Sequence, residues 1–423
     1  MTKNKLFVSL LVSALAVLVL FTPVFGAPAT GKPIKIGIIG PMDIRTGIHM
    51  LISAQMAVEK INATGGLKVG NTKRPIELVK INSNEFKKVT DAVSAAERAI
   101  TSDKVDFLVG GNVAEAVSAI QDIAADNKTI YISTAYIVSQ QYVERMKKNY
   151  DRYKYCFAAA SMGTTDVAKV HLGITETVAR AVQKAGVPKP KVAQMVEKTI
   201  GGDAIMALTT AYFPKMGMEI VGSWRPSPSA SDLRAETAAI KSSNPQIIYT
   251  VFSGPGGIVF GTQVTELKIP ALVVGSPAAS LIPGKGVGYS VTMMGTATIP
   301  VKITDQNLAF YKEFLKRSGG EVCVMSAYDT IMNLLHNIES VGSLDPNALI
   351  KSMEVQEYNG MVGPVKYDPK DHRSVILKGF KAVYGVQQLP GGKAAIVWPT
   401  DAAVKASPVQ IPEWMINVWK KAN

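Results

Sequence analysis

The sequence predicts an α/β protein made of two doubly wound, Rossmann-like lobes with parallel-sheet cores. Three observations carry this. Short runs rich in Val and Ile alternate with segments whose apolar residues recur every three or four positions. The runs are continuously apolar, as in strands buried on both faces by helices. The strand–helix rhythm runs to about residue 132 and then restarts, which requires a second sheet.

The elements follow in order. Residues 34–39 form an apolar strand stopped by Gly40-Pro41. Leu51, Ala54, Val58 and Ile61 then mark one stripe of a helix, ended by Gly65-Gly66. Residues 76–81 alternate as a strand, and Val89, Val93, Ala96 and Ile100 return to helical spacing. Residues 105–109 are a buried strand ended by Gly110-Gly111. Val113, Val117, Ile120 and Ala124 mark the next helix, and 130–132 the next strand. The second half opens with a helix through Val167, Val170, Ile174, Val178 and Ala181. Strands are expected at 191–196, 219–223, 246–252 and 271–275, with helices over 202–216, 232–243 and 256–267. The remainder offers helices at 306–317 and 326–340, a short one after Asp345, and strand-like pieces at 362–367, 375–383 and 395–398. That is too little for a third parallel sheet. These pieces are expected to complete the two lobes, so the chain must cross between them more than once. The tail from 408 reads as an amphipathic segment docked on the surface.

Residues 1–29 read as a signal peptide. Lys3 and Lys5 precede an apolar run at 6–21, Pro23 breaks it, and small residues follow. The run is about 16 residues, short of the roughly 20 that span a bilayer. No cysteine stands near the cleavage region, so a lipid anchor is not expected, and the location expected is the periplasm. Cys156 and Cys323 permit one disulfide in an oxidising space, although sequence does not set their contact. The net charge of +13, from 46 basic and 33 acidic residues, is spread along the chain without an Arg-rich block. That argues against a nucleic-acid partner. His49, His171, His336 and His372 show no metal-ligand spacing. There is no HExxH, CxxC, GxSxG or phosphate-loop lysine motif, so neither a cofactor nor an enzyme is expected.

Ligands of open α/β sheets bind beyond the carboxyl ends of the strands. In the first half those ends bring Asp43 and Arg45, then Asn112, Ala114 and Glu115, then Ser133, Thr134, Ala135 and Tyr136. In the second half they bring Thr199, Gly201 and Asp203, then Phe252 and Ser253, then Ser276 and Pro277. Plainer roles compete. Asp43 and Arg45 could pair on the surface. Ser133 and Thr134 could cap the next helix. Tyr136 and Phe252 could belong to the core, and Trp224-Arg225-Pro226 to a turn or an aromatic lid.

The chain resembles the type I periplasmic binding proteins, specifically the leucine/isoleucine/valine-binding branch. The resemblance rests on Ile34-Lys35-Ile36-Gly37-Ile38-Ile39-Gly40-Pro41, on Ile61-Asn62-Ala63-Thr64-Gly65-Gly66 with the Ala57-Val58-Glu59-Lys60 before it, on 105–111, on 192–203, and on Asn359-Gly360-Met361-Val362-Gly363-Pro364-Val365. It implies three hinge crossings, near 157–161, 296–298 and 365–368. The first lobe would hold 30–157 plus 298–365, the second 158–297 plus 366–423. It also implies a monomer that delivers a small molecule to the permease and ATPase subunits of an ABC importer. The departures bear on the ligand. Ala114 stands where the branch places a hydroxyl for the ligand carboxylate, and Ile137 where it places a second. Pro277 replaces the acid that receives the α-ammonium, and Gly201 an aromatic wall. The expected ligand is amino acid-like or a small carboxylate, aromatic or not, held by Arg45 and backbone N–H groups. A sensing protein of the same fold and a secreted enzyme are the competing readings.

Overall fold

The computed structural model describes residues 30–422, apart from 136, 160–161, 254–255, 277–288, 296–300, 303, 321–326, 362, 376–382 and 401–404. β1 (Ile34–Gly40) leads into α1 (Arg45–Asn62). A small hairpin, β2 (Leu67–Val69) and β3 (Thr72–Arg74), precedes β4 (Ile76–Asn82) and α2 (Val89–Thr101). Then come β5 (Phe107–Gly110), α3 (Ala114–Asp126), β6 (Ile130–Ser133), β7 (Ile137–Val138), α4 (Gln140–Lys148), α5 (Tyr150–Tyr153) and β8 (Cys156–Ala158). The first sheet has the order β4-β1-β5-β6-β8, all parallel. Its strands are apolar on both sides because both sides are covered. On one face Ile34, Ile36 and Ile38 meet Ala54 and Ala57 of α1; on the other Ile39 and Leu108 meet Ala96 of α2 and Val117 of α3.

The second lobe begins with β9 (Met162–Gly163), paired to β7, and α6 (Thr164–Lys184). It continues with β10 (Lys191–Val196), α7 (Ile200–Tyr212), β11 (Glu219–Trp224), α8 (Arg234–Ser242), β12 (Ile247–Val251), α9 (Gly256–Glu266), β13 (Leu272–Gly275) and β14 (Val291–Gly295). α10 (Asp305–Arg317), α11 (Ala327–Val341) and α12 (Pro346–Val355) follow, then the short pair β15 (Tyr358–Gly360) and β16 (Gly363–Val365). β17 (Val383–Leu389), β18 (Lys393–Trp398) and α13 (Glu413–Ala422) end the chain. The second sheet runs β11-β10-β12-β13-β14-β17-β18, and β17 and β18 are antiparallel.

Late elements pack in both cores. Ile331 and Leu334 of α11 and Leu349 of α12 pack in the first. Val383, Val397 and Trp419 pack in the second, where Trp419 donates its indole N–H to the Pro270 carbonyl at 2.6 Å. Tyr367 and His372, beyond the boundary expected at 365, still pack with the first core. Their rings lie 4.9 and 4.0 Å from that of Phe157, so first-lobe packing persists to His372. Of the strand expected over 375–383, residues 376–382 lie outside the described residues; the described strand β17 runs from Val383 to Leu389. Its buried Gln387 donates to the carbonyls of Tyr289 and Gln410, a long-range pairing that local hydrophobicity does not signal. The middle crossing near 296–298 and Cys323 lie outside the described residues. Cys156 is a buried free thiol near the Gln121 carbonyl, at 3.6 Å, and burial pushes its pKa up.

The same turn ends a strand in each lobe. Gly110 and Gly275 both adopt φ +134°, and a Cβ on either would collide with the carbonyl oxygen of the neighbouring strand, Ile39 or Thr250. The next residue, Gly111 or Ser276, donates its N–H to that same carbonyl, at 2.8 and 3.0 Å. Only glycine fits this approach. It turns the chain over the strand end, where a cleft needs its rim.

Candidate functional site

The first-lobe rim is built from the segments after β1, β4, β5 and β6. Arg45 opens α1 and is half-buried. The residue before it, Ile44, is extended and supplies no side-chain cap, and the first turn holds no acid. α3 also has an apolar N-cap, Val113, although its first turn carries Glu115. Both helix ends thus turn backbone N–H groups and positive dipole ends to the strand ends without a side-chain cap, as anion sites do. One turn into α1, His49 is buried edge-on against Phe314 at 5.4 Å, and its Nδ1 has no hydrogen-bond partner. Burial first, then the charge of Arg45, pull its pKa down to about 4.

The expected residues of this rim divide. Asp43 is exposed and accepts from the Asn82 amide at 2.9 Å. Asn112 holds its side-chain nitrogen buried without a partner, beside Ala114 at the start of α3. Ser133 and Thr134 are fully buried and bonded within the lobe. Ser133 accepts from Ala135 N at 3.2 Å, and Thr134 donates to the Gly111 carbonyl at 3.2 Å. Ser139, not either of them, caps α4. Ala135 is buried, and Tyr136 lies outside the described residues. Glu115 points to the other lobe and accepts from Ile200 N at 3.2 Å.

A residue that sequence reasoning missed organises this rim. Glu85, after β4, is buried and accepts from Asn112 N at 3.0 Å, Val113 N at 2.8 Å and the Ser83 hydroxyl at 3.0 Å. Burial raises its pKa, and these bonds to the carboxylate oppose the rise. The signal was present as Ser83-Asn84-Glu85, a polar run directly after a strand.

The second-lobe rim closes on itself. Thr199 caps α7 by accepting from Gly202 N at 2.9 Å. Gly201 is buried beside it. Asp203 is exposed but pairs with Arg225, whose guanidinium also donates to the Val196 and Glu197 carbonyls at 2.8 and 3.0 Å. The 224–226 segment is therefore a staple for the turn. Buried Glu197 accepts from both the N–H (2.9 Å) and the hydroxyl of Ser253. Phe252 is core, stacked on Phe260 at 5.7 Å, and not a cleft wall. Ser276 meets His171 Nε2 at 3.0 Å, and the Tyr249 hydroxyl meets its Nδ1 at 2.6 Å. Burial holds the His171 pKa down, at about 4. Pro277 lies outside the described residues.

A separate groove of about 460 Å³ lies between α1, α10 and α11, over Met56, Phe310, Tyr328 and Met361. At 1.5 Å per residue it sits roughly 20 Å along α1 from Arg45, away from the strand ends. Among the described residues no cluster of His, Cys, Asp or Glu could hold a metal ion, and no helix is long and apolar enough to cross a membrane.

Known proteins share this fold. A curated relative, the Leu/Ile/Val-binding protein BraC3 of Rhizobium johnstonii, is 24% identical over 349 residues, covering 81% of this chain and 89% of its own. An ABC-transporter solute-binding protein from Rhodopseudomonas palustris, solved with 3,4-dihydroxybenzoic acid, superposes with a TM-score of 0.68 at 20% identity, over 90% of this chain and 99% of its own. Another from R. palustris, solved with benzoate, gives 0.67 at 17% identity over 90% and 98%. The leucine-binding protein LivK of Thermotoga maritima gives 0.63 at 20% identity over 86% and 97%. A family model described as periplasmic binding protein matches residues 33–387. The chain belongs to the periplasmic binding protein family.

Proposed function

We propose that this protein captures a small carboxylate lacking an amino group, aromatic acids of the benzoate type foremost, and delivers it to the membrane subunits of an ABC importer. One observation carries the ligand class: the described acids of both rims are already engaged within the chain. Asp43 holds Asn82, Glu85 the Asn112 and Val113 amides, Glu115 the Ile200 amide, Glu197 Ser253, and Asp203 Arg225. Taking an ammonium group would mean breaking one of these bonds, at a cost of about 1–3 kcal/mol for each group left unsatisfied. On the first lobe the apolar N-caps of α1 and α3 and the positive charge of Arg45 stand at the strand ends, where an anion is favoured. The Asn112 amide is a further donor at the same rim. That R. palustris proteins of this fold hold benzoate and dihydroxybenzoate agrees with the reading. The protein acts as a monomer in the periplasm after loss of residues 1–29. Its first lobe keeps the chain to about His372 before the last crossing.

A thermal-shift panel tests the proposal. Benzoate and 4-hydroxybenzoate should each raise the melting temperature by several degrees, since a ligand at 100 times its Kd adds about 2.7 kcal/mol. Leucine, valine and phenylalanine should not. Arg45→Ala should abolish the shift and leave the ligand-free melting temperature nearly unchanged. A larger shift with leucine than with any aromatic acid overturns the ligand class.

A further inference from the structure

The two lobes touch through a bond whose donor and acceptor sit on opposite sides of the cleft. Glu115 lies in the first turn of α3, in the first lobe. Ile200 is the first residue of α7, in the second lobe, and its side chain is 61% exposed. The Ile200 N–H donates to Glu115 Oε1 at 3.2 Å, across 85 residues of sequence. This N–H is one of the four that no intrahelical carbonyl can satisfy. The Thr199 hydroxyl takes Gly202 N of the same turn from within its own lobe. The end of α7 is therefore satisfied in two ways, one indifferent to closure and one that exists only when the lobes meet.

We propose that Glu115 is an interlobe clasp that holds the cleft closed by capping α7 from the opposite lobe. A carboxylate at a helix N-terminus gains both a charge-assisted hydrogen bond and a favourable dipole interaction. Opening the hinge takes both away and leaves the Ile200 N–H to water. The clasp also occupies a helix end of the second-lobe rim that a ligand carboxylate could otherwise use. A ligand that closes this protein then adds to a contact that already favours closure, and opening for release must break it. The inference rests on the binding-protein reading for the meaning of closure, but the contact itself is independent of what the ligand is.

Amide hydrogen exchange on the ligand-free protein reads the clasp directly. The Ile200 amide should exchange about tenfold faster in Glu115→Ala than in wild type, the effect of losing one charge-assisted hydrogen bond. Gly202, capped within its own lobe, should keep its wild-type rate. Glu115→Gln retains an acceptor oxygen without the charge, and its Ile200 rate should fall between the other two. An unchanged Ile200 rate in Glu115→Ala overturns the clasp. So does equal acceleration of Ile200 and Gly202, which would mean that α7 merely frays. Because no ligand is present, failure here leaves the ligand class standing, and failure of the ligand panel leaves the clasp standing.

Discussion

The two rims are made from the same parts and finished differently. Each has a positive-φ glycine that turns the chain over a strand end, Gly110 in the first and Gly275 in the second. Each has a buried glutamate that takes backbone N–H from another strand-end loop, two for Glu85 and one for Glu197. Each has a buried neutral histidine on its first long helix, His49 on α1 and His171 on α6. The second-lobe rim then pairs these polar groups within the chain. His171 has a partner at each nitrogen, α7 is capped by Thr199 and Glu115, and Asp203 is paired with Arg225. The first lobe does not. His49 Nδ1 and Asn112 Nδ2 have no hydrogen-bond partner, and α1 and α3 start without side-chain caps. Buried polar groups left unmatched are costly, and binding sites are where that cost is tolerated. In our proposal the first lobe reads the ligand and the second closes over it, and this difference supports it.

The shared parts break hardest. Gly110→Ala and Gly275→Ala each force a Cβ onto a backbone oxygen at a φ that alanine resists. Each should cost about 3 kcal/mol or more, read by urea denaturation. Similar losses in the two lobes would confirm one device used twice. A mild effect in either would show that its strand end can shift.

The histidines separate the lobes more finely. Both pKa values lie near 4, below the 6.5 of the unfolded side chain. Between pH 6.5 and 4 the unfolded chain binds more protons than the folded one. Their contribution is therefore full above pH 6.5 and is lost as pH falls through that window. His171→Leu strands the Tyr249 and Ser276 hydroxyls and should cost about 2 kcal/mol at pH 7. His49→Leu removes a ring whose Nδ1 is unsatisfied. It should stay within about 1 kcal/mol of wild type at pH 7 and flatten the loss on acidification. Equal costs at pH 7 would erase the contrast drawn between the lobes.

The sequence showed the architecture because buried parallel strands are continuous apolar runs and need no partner to be recognised. It failed where pairing is long-range. β17 carries Gln387 and Gln388, which look like loop residues until the distant carbonyls of Tyr289 and Gln410 are in view. A strand was expected at 395–398, within β18, but its antiparallel pairing with β17 was not foreseen, for the same reason. The strand-end rule picked out the segments that form the two rims, yet it could not sort residues within them. Asp203 looks like a ligand acid until Arg225, 22 residues on, takes it. Thr134 looks like a ligand hydroxyl until the chain folds it onto Gly111. Glu85 was overlooked because its amide partners lie 27 and 28 residues ahead.

The central claim is that the first lobe holds the ligand's anionic end. A crystal structure of the protein with benzoate tests it most directly. The account predicts the carboxylate against Arg45 and the starts of α1 and α3, with the bond between Glu115 and Ile200 intact. A carboxylate seated on α7 with Glu115 displaced would contradict it.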